Sequence, residues 1–431
     1  MKCHTIGCGY IRHTDEHSMG GYCCKACKNN AGAKHGPRCQ AKDCVSVRAY
    51  AKLKPRNAQN RTSALNLSDL AGIYQFPSAT STTGVVVGIL SFGGGLFGNF
   101  NSQGVMTTET PSTSDVLNLW RKEYPTLTNF PRVIIVPVDG AINRPNANDG
   151  GSTLENTMDV SIVGGCWPNP NLTILLYLGT PKSSFTSLLR AALSSTRIQG
   201  TTYTPSILSI SWGLPELYGG KDMQSANALM QTAASKGITI CVATGDTGSS
   251  DGLSNGKNVD FPSSSPYCVA VGGTTLAVKD PSVSLSATTW ANYTETAWSG
   301  SGGGVSKVFP KPSWQSALAA SGRSTPDLAA VADPKTGCKF LLRGNTRVVG
   351  GTSMAAPLVA SFFAANNLTT FANSVLYTLP SSNYHDITSG SNGAYKSKVG
   401  YDNCTGIGSI NGTNLCLALP KNSTVPNVGL V

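Results

Sequence analysis

The sequence predicts an α/β protein whose parallel sheet is covered by helices on both faces. Short runs rich in Val, Ile and Leu are typical of buried parallel strands, and they occupy residues 85–92, 132–138, 172–179, 205–213 and 238–245. Helix-like segments lie between them at 153–165, 183–195 and 222–236. This alternation indicates a parallel sheet. The Gly/Ser-rich stretches at 93–104, 247–256 and 299–306 are expected to form loops at the sheet edge, where sites are commonly built.

The N-terminal region differs in composition from the rest of the chain. Residues 1–44 contain seven of the 13 cysteines, together with His4, His13, His17 and His35. A module of this size cannot build a large core, so we expect disulfides or zinc to hold it, and the cysteine spacing leaves both open. Residues 45–61 are predicted to be a basic linker, residues 62–420 the main globular domain, and residues 421–431 a tail.

The formal net charge of +11 is concentrated in the same region, because residues 1–61 hold twelve Lys and Arg against three Asp and Glu. The charge therefore says little about partners of the main domain. No uncharged apolar run reaches the roughly 18 residues of a membrane helix. The N-terminus has no apolar segment typical of a signal peptide, which leaves the compartment open. Nucleic acid is not an expected partner, since the basic module lacks interleaved aromatic residues.

A candidate nucleophile lies in the stretch GGTSMAAP at residues 350–357, which runs on into an apolar segment. This pattern predicts a tight turn that places Ser353 at the start of a buried helix. Free N–H groups and the helix dipole favour a developing negative charge there. The alternative is that Thr352 or Ser353 only caps the helix.

The sequence offers carboxylates, rather than a histidine, to activate this serine. Beyond residue 35 the only histidine is His385, which follows the serine in a loop-like segment. Glu155 and Asp159 are spaced i and i+4 and share one helix face; buried together they would share a proton, whereas on a solvated face they would repel. Asp246 follows the apolar strand at 238–243 and, if kept protonated, would donate to an oxyanion. An Asx turn is the alternative for Asp246.

Several further motifs occur in order along the main domain. They are VVVGILSFGGG at 85–95, SISWG at 209–213, GDTG at 245–248, FPSSSPYCVAVGGT at 261–274, SGGGVSKVFPKPSWQ at 301–315 and PDLAAVADP at 326–334. Together with the serine and carboxylate motifs, over about residues 62–420, they resemble the sedolisin family of serine-carboxyl peptidases. The resemblance implies a subtilisin-like fold with a doubly wound parallel sheet.

The resemblance also implies roles for particular residues. Ser353 would be the nucleophile, Glu155 the general base, Asp159 the residue that orients Glu155, and Asp246 the oxyanion donor. Trp212 and Gly213 would line the substrate cleft. A calcium loop is implied at residues 384–406, with ligands from the side chains of Asp386 and Asp402 and the carbonyls of Ile387, Lys398 and Gly400. Lys398 stands where the family more often has glycine.

The expected activity is therefore that of an acid-acting serine-carboxyl endopeptidase, monomeric and acting on polypeptides. Glutamate ordinarily ionises near pH ~4.3, so a glutamate base is available in acid. Two alternatives are kept: an inactive protease fold that only binds partners, and a tripeptidyl-type exopeptidase. Family members usually carry a long propeptide before the catalytic domain; here the Cys/His-rich module and the linker stand in that place, which leaves folding and activation open.

Overall fold

The computed structural model describes residues 64–79, 83–146, 148–254, 256–279 and 290–420. The predicted Cys/His-rich module, with its zinc and disulfide alternatives, the linker and the tail lie outside these residues. The helices are α1 (Leu67–Ile73), α2 (Asp115–Glu123), α3 (Ser152–Gly165), α4 (Phe185–Leu193), α5 (Gly220–Ser235), α6 (Thr352–Ala365), α7 (Asn373–Leu376) and α8 (Gly412–Ala418).

A ten-stranded sheet forms the centre of the described part of the chain. Its members are β1 (Val85–Phe92), β2 (Arg132–Pro137), β3 (Leu172–Gly179), β6 (Ile207–Ile210), β8 (Thr239–Ala243), β10 (Val269–Val278), β11 (Tyr293–Ala297), β14 (Leu328–Val331), β17 (Tyr384–His385) and β18 (Ser409–Ile410). The order is β17-β18-β14-β10-β8-β6-β1-β3-β2, and β11 also pairs with β10. The pairs from β2 to β18 are parallel, and β17 and β11 pair antiparallel. The predicted parallel sheet is confirmed.

Four smaller two-stranded sheets flank it. They pair β4 (Thr196–Ile198) with β5 (Thr201–Tyr203), β7 (Leu214–Pro215) with β9 (Asp260–Phe261), β12 (Gly304–Pro310) with β13 (Gly322–Thr325), and β15 (Cys338–Leu342) with β16 (Asn345–Val349). The predicted loop at 299–306 was wrong at its end, because Gly304 and Val305 already pair with β13. Gly/Ser-rich composition does not prevent strand pairing where a neighbouring strand supplies the hydrogen bonds.

Alternate residues of the buried strands pack into two separate cores, one on each face of the sheet. In β1, Val87 and Ile89 contact the core that includes α3 and α6, whereas Leu90 and Phe92 contact the core that includes α4 and α5. A strand with apolar side chains on both faces appears in the sequence as a continuous apolar run, and this pattern allowed these strands to be predicted. None of the helices in the described part of the chain has the length and apolar character needed to cross a membrane.

The helices α3 and α6 lie side by side on one face of the sheet. Ser361 Oγ on α6 donates to the carbonyl oxygen of Val163 on α3 at 2.9 Å. Both helices are buried along almost their whole length. The packing brings their N-terminal turns, which carry the candidate catalytic residues, to the same edge of the sheet.

Candidate active site

Helix α3 buries both carboxylates that the sequence singled out. The helix begins after Gly151, and Glu155 and Asp159 occupy successive turns of one face. Glu155 is 2% exposed and Asp159 is fully buried. The solvated-face alternative is therefore wrong for this pair, and the repulsion expected of two ionised carboxylates must be relieved by a proton.

Ser353 lies in the first turn of α6, where the sequence predicted it. Gly351 precedes the helix with φ 111°, a backbone conformation that residues with a Cβ rarely adopt. The turn leaves Ser353 5% exposed. Its Oγ donates to the carbonyl oxygen of Ser211 at 3.3 Å, and the same hydroxyl lowers the pKa of Glu155. The serine hydroxyl therefore lies within reach of the predicted base.

The environment of the pair favours its protonated forms. The pKa of Glu155 is raised to about 8; burial is the largest cause, the charge of Asp246 adds to it, and the hydroxyls of Ser353 and Ser211 oppose the rise. Burial, followed by the charge of Glu155, raises the pKa of Asp159 well above its ordinary value. Glu155 Oε1 and Asp159 Oδ2 are buried without a hydrogen-bond partner among the described residues. One proton held by the pair would remove the repulsion between two ionised carboxylates.

Asp246 is held against the start of α6, one residue from the nucleophile. Its Oδ1 accepts from the backbone N–H of Thr352 at 2.7 Å and from Thr352 Oγ1 at 3.0 Å. Burial raises the pKa of Asp246, and these two hydrogen bonds oppose the rise. Both bonds engage Oδ1, so Oδ2 is the oxygen that would carry a proton for donation to an oxyanion.

A second acidic group beside Asp246 was missed in the sequence. A Cβ on Gly213 would lie 2.4 Å from Asp260 Oδ1, and a Cβ on Gly245 would lie 3.0 Å from Asp260 Oδ2. Asp260 is 8% exposed, and its pKa is raised by burial, by Asp251 and by Asp246. The signal available in the sequence was the position of Asp260 directly before the FPSSS motif, but only tertiary packing brings it beside Asp246.

Of the two predicted cleft residues, Trp212 and Gly213, the first has its side chain in the core. The Trp212 indole is 3% exposed, packs edge-to-face on Phe92 at 5.8 Å, and donates from Nε1 to Ser91 Oγ at 2.9 Å. Any contact of Trp212 with substrate would therefore use its backbone. Gly213 lies against Asp260, where a side chain would collide with the carboxylate.

The residues predicted as calcium ligands are gathered in one loop. Asp386 Oδ2 accepts from the N–H of Gly400 at 2.9 Å, and Asp402 Oδ2 accepts from the N–H of Lys398 at 3.1 Å. Ile387, the remaining predicted ligand, is buried beside Asp386. Lys398 is not among the positive-φ residues, whereas Gly400 has φ 75°. The lysine therefore needs no backbone conformation that only glycine favours.

His385 takes no part in this arrangement. It is the only histidine among the described residues, and its ring stacks on Trp290 at 3.9 Å. Burial lowers the pKa of His385 to about 4. A nucleophile activated by His385 is thus not supported, in agreement with its position in the sequence.

Comparison with known proteins places the chain in a family. The sequence model of the subtilase family matches residues 143–371. Kumamolisin of Bacillus sp. (strain MN-32) is 33% identical over 400 residues, covering 86% of this chain and 66% of that protein. Xanthomonalisin of Xanthomonas sp. (strain T-22) is 29% identical over 396 residues, covering 79% of this chain and 44% of that protein.

A solved structure and further relatives extend the likeness. The structure of Pseudomonas sedolisin, described as a serine-carboxyl proteinase complexed with two molecules of pseudo-iodotyrostatin, has a TM-score of 0.66 at 24% identity, covering 83% of this chain and 98% of that one. Proteins named tripeptidyl-peptidase, such as sed5 of Aspergillus fumigatus, are also similar. The chain spans 44% to 66% of the length of the two relatives above. It is a subtilisin-like protein of the sedolisin family.

Proposed function

We propose that this chain is a serine-carboxyl peptidase that hydrolyses peptide bonds in acid through an acyl-enzyme on Ser353. The observation that carries the proposal is the buried Glu155–Asp159 pair beside Ser353, whose hydroxyl at the start of α6 lowers the pKa of Glu155. A buried carboxyl pair in contact with a serine hydroxyl is costly for a fold, and it suits proton transfer to and from that serine. The names of kumamolisin and sedolisin relatives support the same chemistry.

The proposed reaction assigns each proton to a group at the site. Ser353 Oγ attacks the peptide carbonyl carbon while ionised Glu155 takes the hydroxyl proton. Neutral Asp246 donates a hydrogen bond to the oxyanion. Glu155 then returns the proton to the leaving amine, which departs as the acyl-enzyme forms. A water molecule attacks the acyl carbon in the second half, with Glu155 again accepting and returning the proton, and Ser353 is regenerated.

The structure changes the physical argument for an acid optimum. The sequence argument used the ordinary pKa of glutamate, whereas burial raises the pKa of Glu155 and Asp159. Two interacting carboxyls lose their protons in two steps, and the apparent pKa of each step describes the pair and not one residue. The competent form is the singly protonated pair, with Asp159 holding the proton and Glu155 ionised. The acid limb of activity therefore reports the first proton leaving the pair, and an acid optimum requires this step to lie well below the raised pKa of about 8 for Glu155. The alkaline limb reports loss of the last proton or of the Asp246 proton.

Cleavage of a mixed peptide library by purified full-length chain, from pH 2.5 to 8, tests this function. We expect activity that peaks in acid, falls towards pH 8, and is absent in Ser353→Ala. Presenting each peptide with a free and with an acetylated N-terminus separates endopeptidase action, which we propose, from tripeptidyl release, which the names of some relatives favour. Activity that rises steadily to pH 8, or that persists in Ser353→Ala, would contradict the proposal.

We further propose that the loop at residues 384–406 binds one structural Ca²⁺. The donor set fits a hard cation, because the Asp386 and Asp402 carboxylates and the carbonyls of Ile387, Lys398 and Gly400 are all oxygen ligands. Bound calcium would tie β17 to the loop that follows it and would neutralise the charge of the two carboxylates. The amides that now donate to those carboxylates hold the loop in a compact form.

Adding calcium to metal-free protein is expected to raise the midpoint of thermal unfolding by several degrees, since a ligand that binds only the folded state stabilises it. Isothermal titration should give one site per chain, and Asp402→Asn should abolish it. Asp333→Asn is a control, because Asp333 accepts its hydrogen bonds in another loop. An unchanged midpoint at millimolar calcium would rule the site out.

A further inference from the structure

Ser211 lies between the carboxyl pair and the nucleophile and contacts both. It follows strand β6, and its Oγ is 2.8 Å from Asp159 Oδ1 and 3.2 Å from the carbonyl oxygen of Ser353. Its own carbonyl oxygen accepts from Ser353 Oγ at 3.3 Å. We propose that Ser211 is a positioning residue that couples the pair to Ser353, its hydroxyl donating to Asp159 when Asp159 is ionised and to the Ser353 carbonyl when Asp159 is protonated. This inference rests on the proposed peptidase function.

The Ser353 carbonyl needs a donor from outside its own helix. In an α-helix the carbonyl of residue 353 accepts from the N–H of residue 357, and residue 357 is a proline within α6. Proline has no N–H, so the usual bond is missing. The Ser211 hydroxyl is the donor that the structure places there. The nucleophile's own peptide unit is therefore held by Ser211.

One hydroxyl proton cannot serve both acceptors at full strength. When Asp159 is ionised, its Oδ1 is the stronger acceptor and takes the Ser211 proton. When Asp159 is protonated on Oδ2, its Oδ1 is a weaker acceptor, and the Ser211 proton turns to the Ser353 carbonyl. The protonation state of the pair is thereby transmitted to the backbone of the nucleophile. No bond other than these hydrogen bonds changes.

The electrostatic surroundings make this donor important. The charged groups that act on the pair are carboxyls, Asp246 on Glu155 and Glu155 on Asp159. No lysine, arginine or histidine of the described residues contributes to either pKa. The Ser211 hydroxyl lowers the pKa of both Glu155 and Asp159, and its hydrogen bond goes to Asp159. Without them, the ionised forms would lose part of their stabilisation.

Ser211→Ala in the full-length chain tests the proposal, with Ser209→Ala as the matched control. Ser209 lies two residues earlier, within β6; it is fully buried, and its Oγ has no hydrogen-bond partner among the described residues. We expect Ser211→Ala to lower kcat about 10-fold, the effect of losing the hydrogen bond to the Ser353 carbonyl. Its alkaline limb should move to higher pH, because removing the donor to ionised Asp159 raises the pKa of the last proton of the pair. Ser211→Thr, which keeps the hydroxyl, should restore the wild-type limb.

Pro357→Ala distinguishes the effect of Ser211 on the Ser353 carbonyl from its effect on Asp159. An alanine restores the N–H that the Ser353 carbonyl lacks, and it leaves Asp159 without any new donor. In the Ser211→Ala background we expect this change to recover part of kcat while the alkaline limb stays displaced. Recovery of both kcat and the limb would show that Ser211 supports only the helix, which would overturn the coupling to Asp159.

A measurement that does not depend on activity separates this inference from the proposed function. Exposed carboxyls have ionised by about pH 6, so infrared bands of protonated carboxyls at pH 6 to 8 report the buried ones. In Ser353→Ala protein, which cannot cut itself, adding Ser211→Ala should raise the pH at which these bands disappear, whereas Ser209→Ala should not. If the infrared titration shifts but the wild-type chain cleaves no peptide, the inference about Ser211 is supported and the proposed peptidase function is contradicted. A cleaving chain in which Ser211→Ala matches Ser209→Ala in both titration and pH profile would overturn the inference.

Discussion

Glu155→Gln is expected to lower kcat by about 10³-fold at the pH of maximal activity, with the fold retained. The glutamine keeps the size and the hydrogen-bonding capacity of the side chain, but it cannot take the Ser353 proton. General-base catalysis typically accounts for 10²- to 10⁴-fold, and the residual rate would come from the oxyanion donor and from substrate binding. Steady-state kinetics on a peptide identified from the library gives kcat and KM separately. KM should change little, because Glu155 acts on the serine and not on the bound peptide.

Glu123→Gln provides the control for this exchange. Glu123 is also a largely buried carboxyl with a pKa raised by burial, but it accepts from the backbone N–H groups of Leu67 and Ser68 at the start of α1. We expect that variant to keep its kcat and to lose some stability. If Glu155→Gln retained the wild-type kcat, the serine would have to be activated by another group and the serine-carboxyl mechanism would be wrong.

The parts of this molecule that follow local rules were predicted well from the sequence. The strand at 85–92 has the bounds predicted for it, and α3 begins one residue before the predicted start at 153. The Glu155 and Asp159 pair was recognised because i and i+4 residues share a helix face whatever the tertiary structure. Ser353 was recognised because small residues before an apolar run mark a helix start. These features depend on neighbours within a few residues.

The contacts that complete the site were not predictable in the same way. Ser211 meets Asp159 across 52 residues and Ser353 across 142 residues. Asp260 reaches the site because β9 pairs with β7, which follows Gly213. Trp212 was expected in the cleft, yet alternation along the chain after β6 turns its indole towards Phe92. Such positions depend on strand order and register, which composition and periodicity do not determine.

Burial of so many carboxyls gives this protein an unusual dependence of stability on pH. Burial is the largest cause of the raised pKa values of Glu155, Asp159, Asp246 and Asp260. Between the ordinary carboxyl pKa near ~4 and the raised values, the folded protein binds more protons than the unfolded chain, so the free energy of unfolding falls as pH rises. His385 acts in the opposite direction between about pH 6.5 and 4, since its pKa is lowered, but it is one group against four.

We therefore expect the free energy of unfolding to be highest in acid and to fall by several kcal/mol between about pH 5 and pH 8, because each carboxyl that must ionise in the folded state costs about 1.4 kcal/mol per pH unit above its ordinary pKa. Urea unfolding at fixed calcium, in the Ser353→Ala background to prevent self-cleavage, measures this slope. Adding Glu155→Gln and Asp159→Asn should flatten it and stabilise the protein at pH 8, whereas adding Glu123→Gln should change it less. A free energy of unfolding that rises towards pH 8, or a slope that the double substitution leaves unchanged, would show that the pair ionises freely in the folded state. The same result would remove the shared proton on which the proposed mechanism depends.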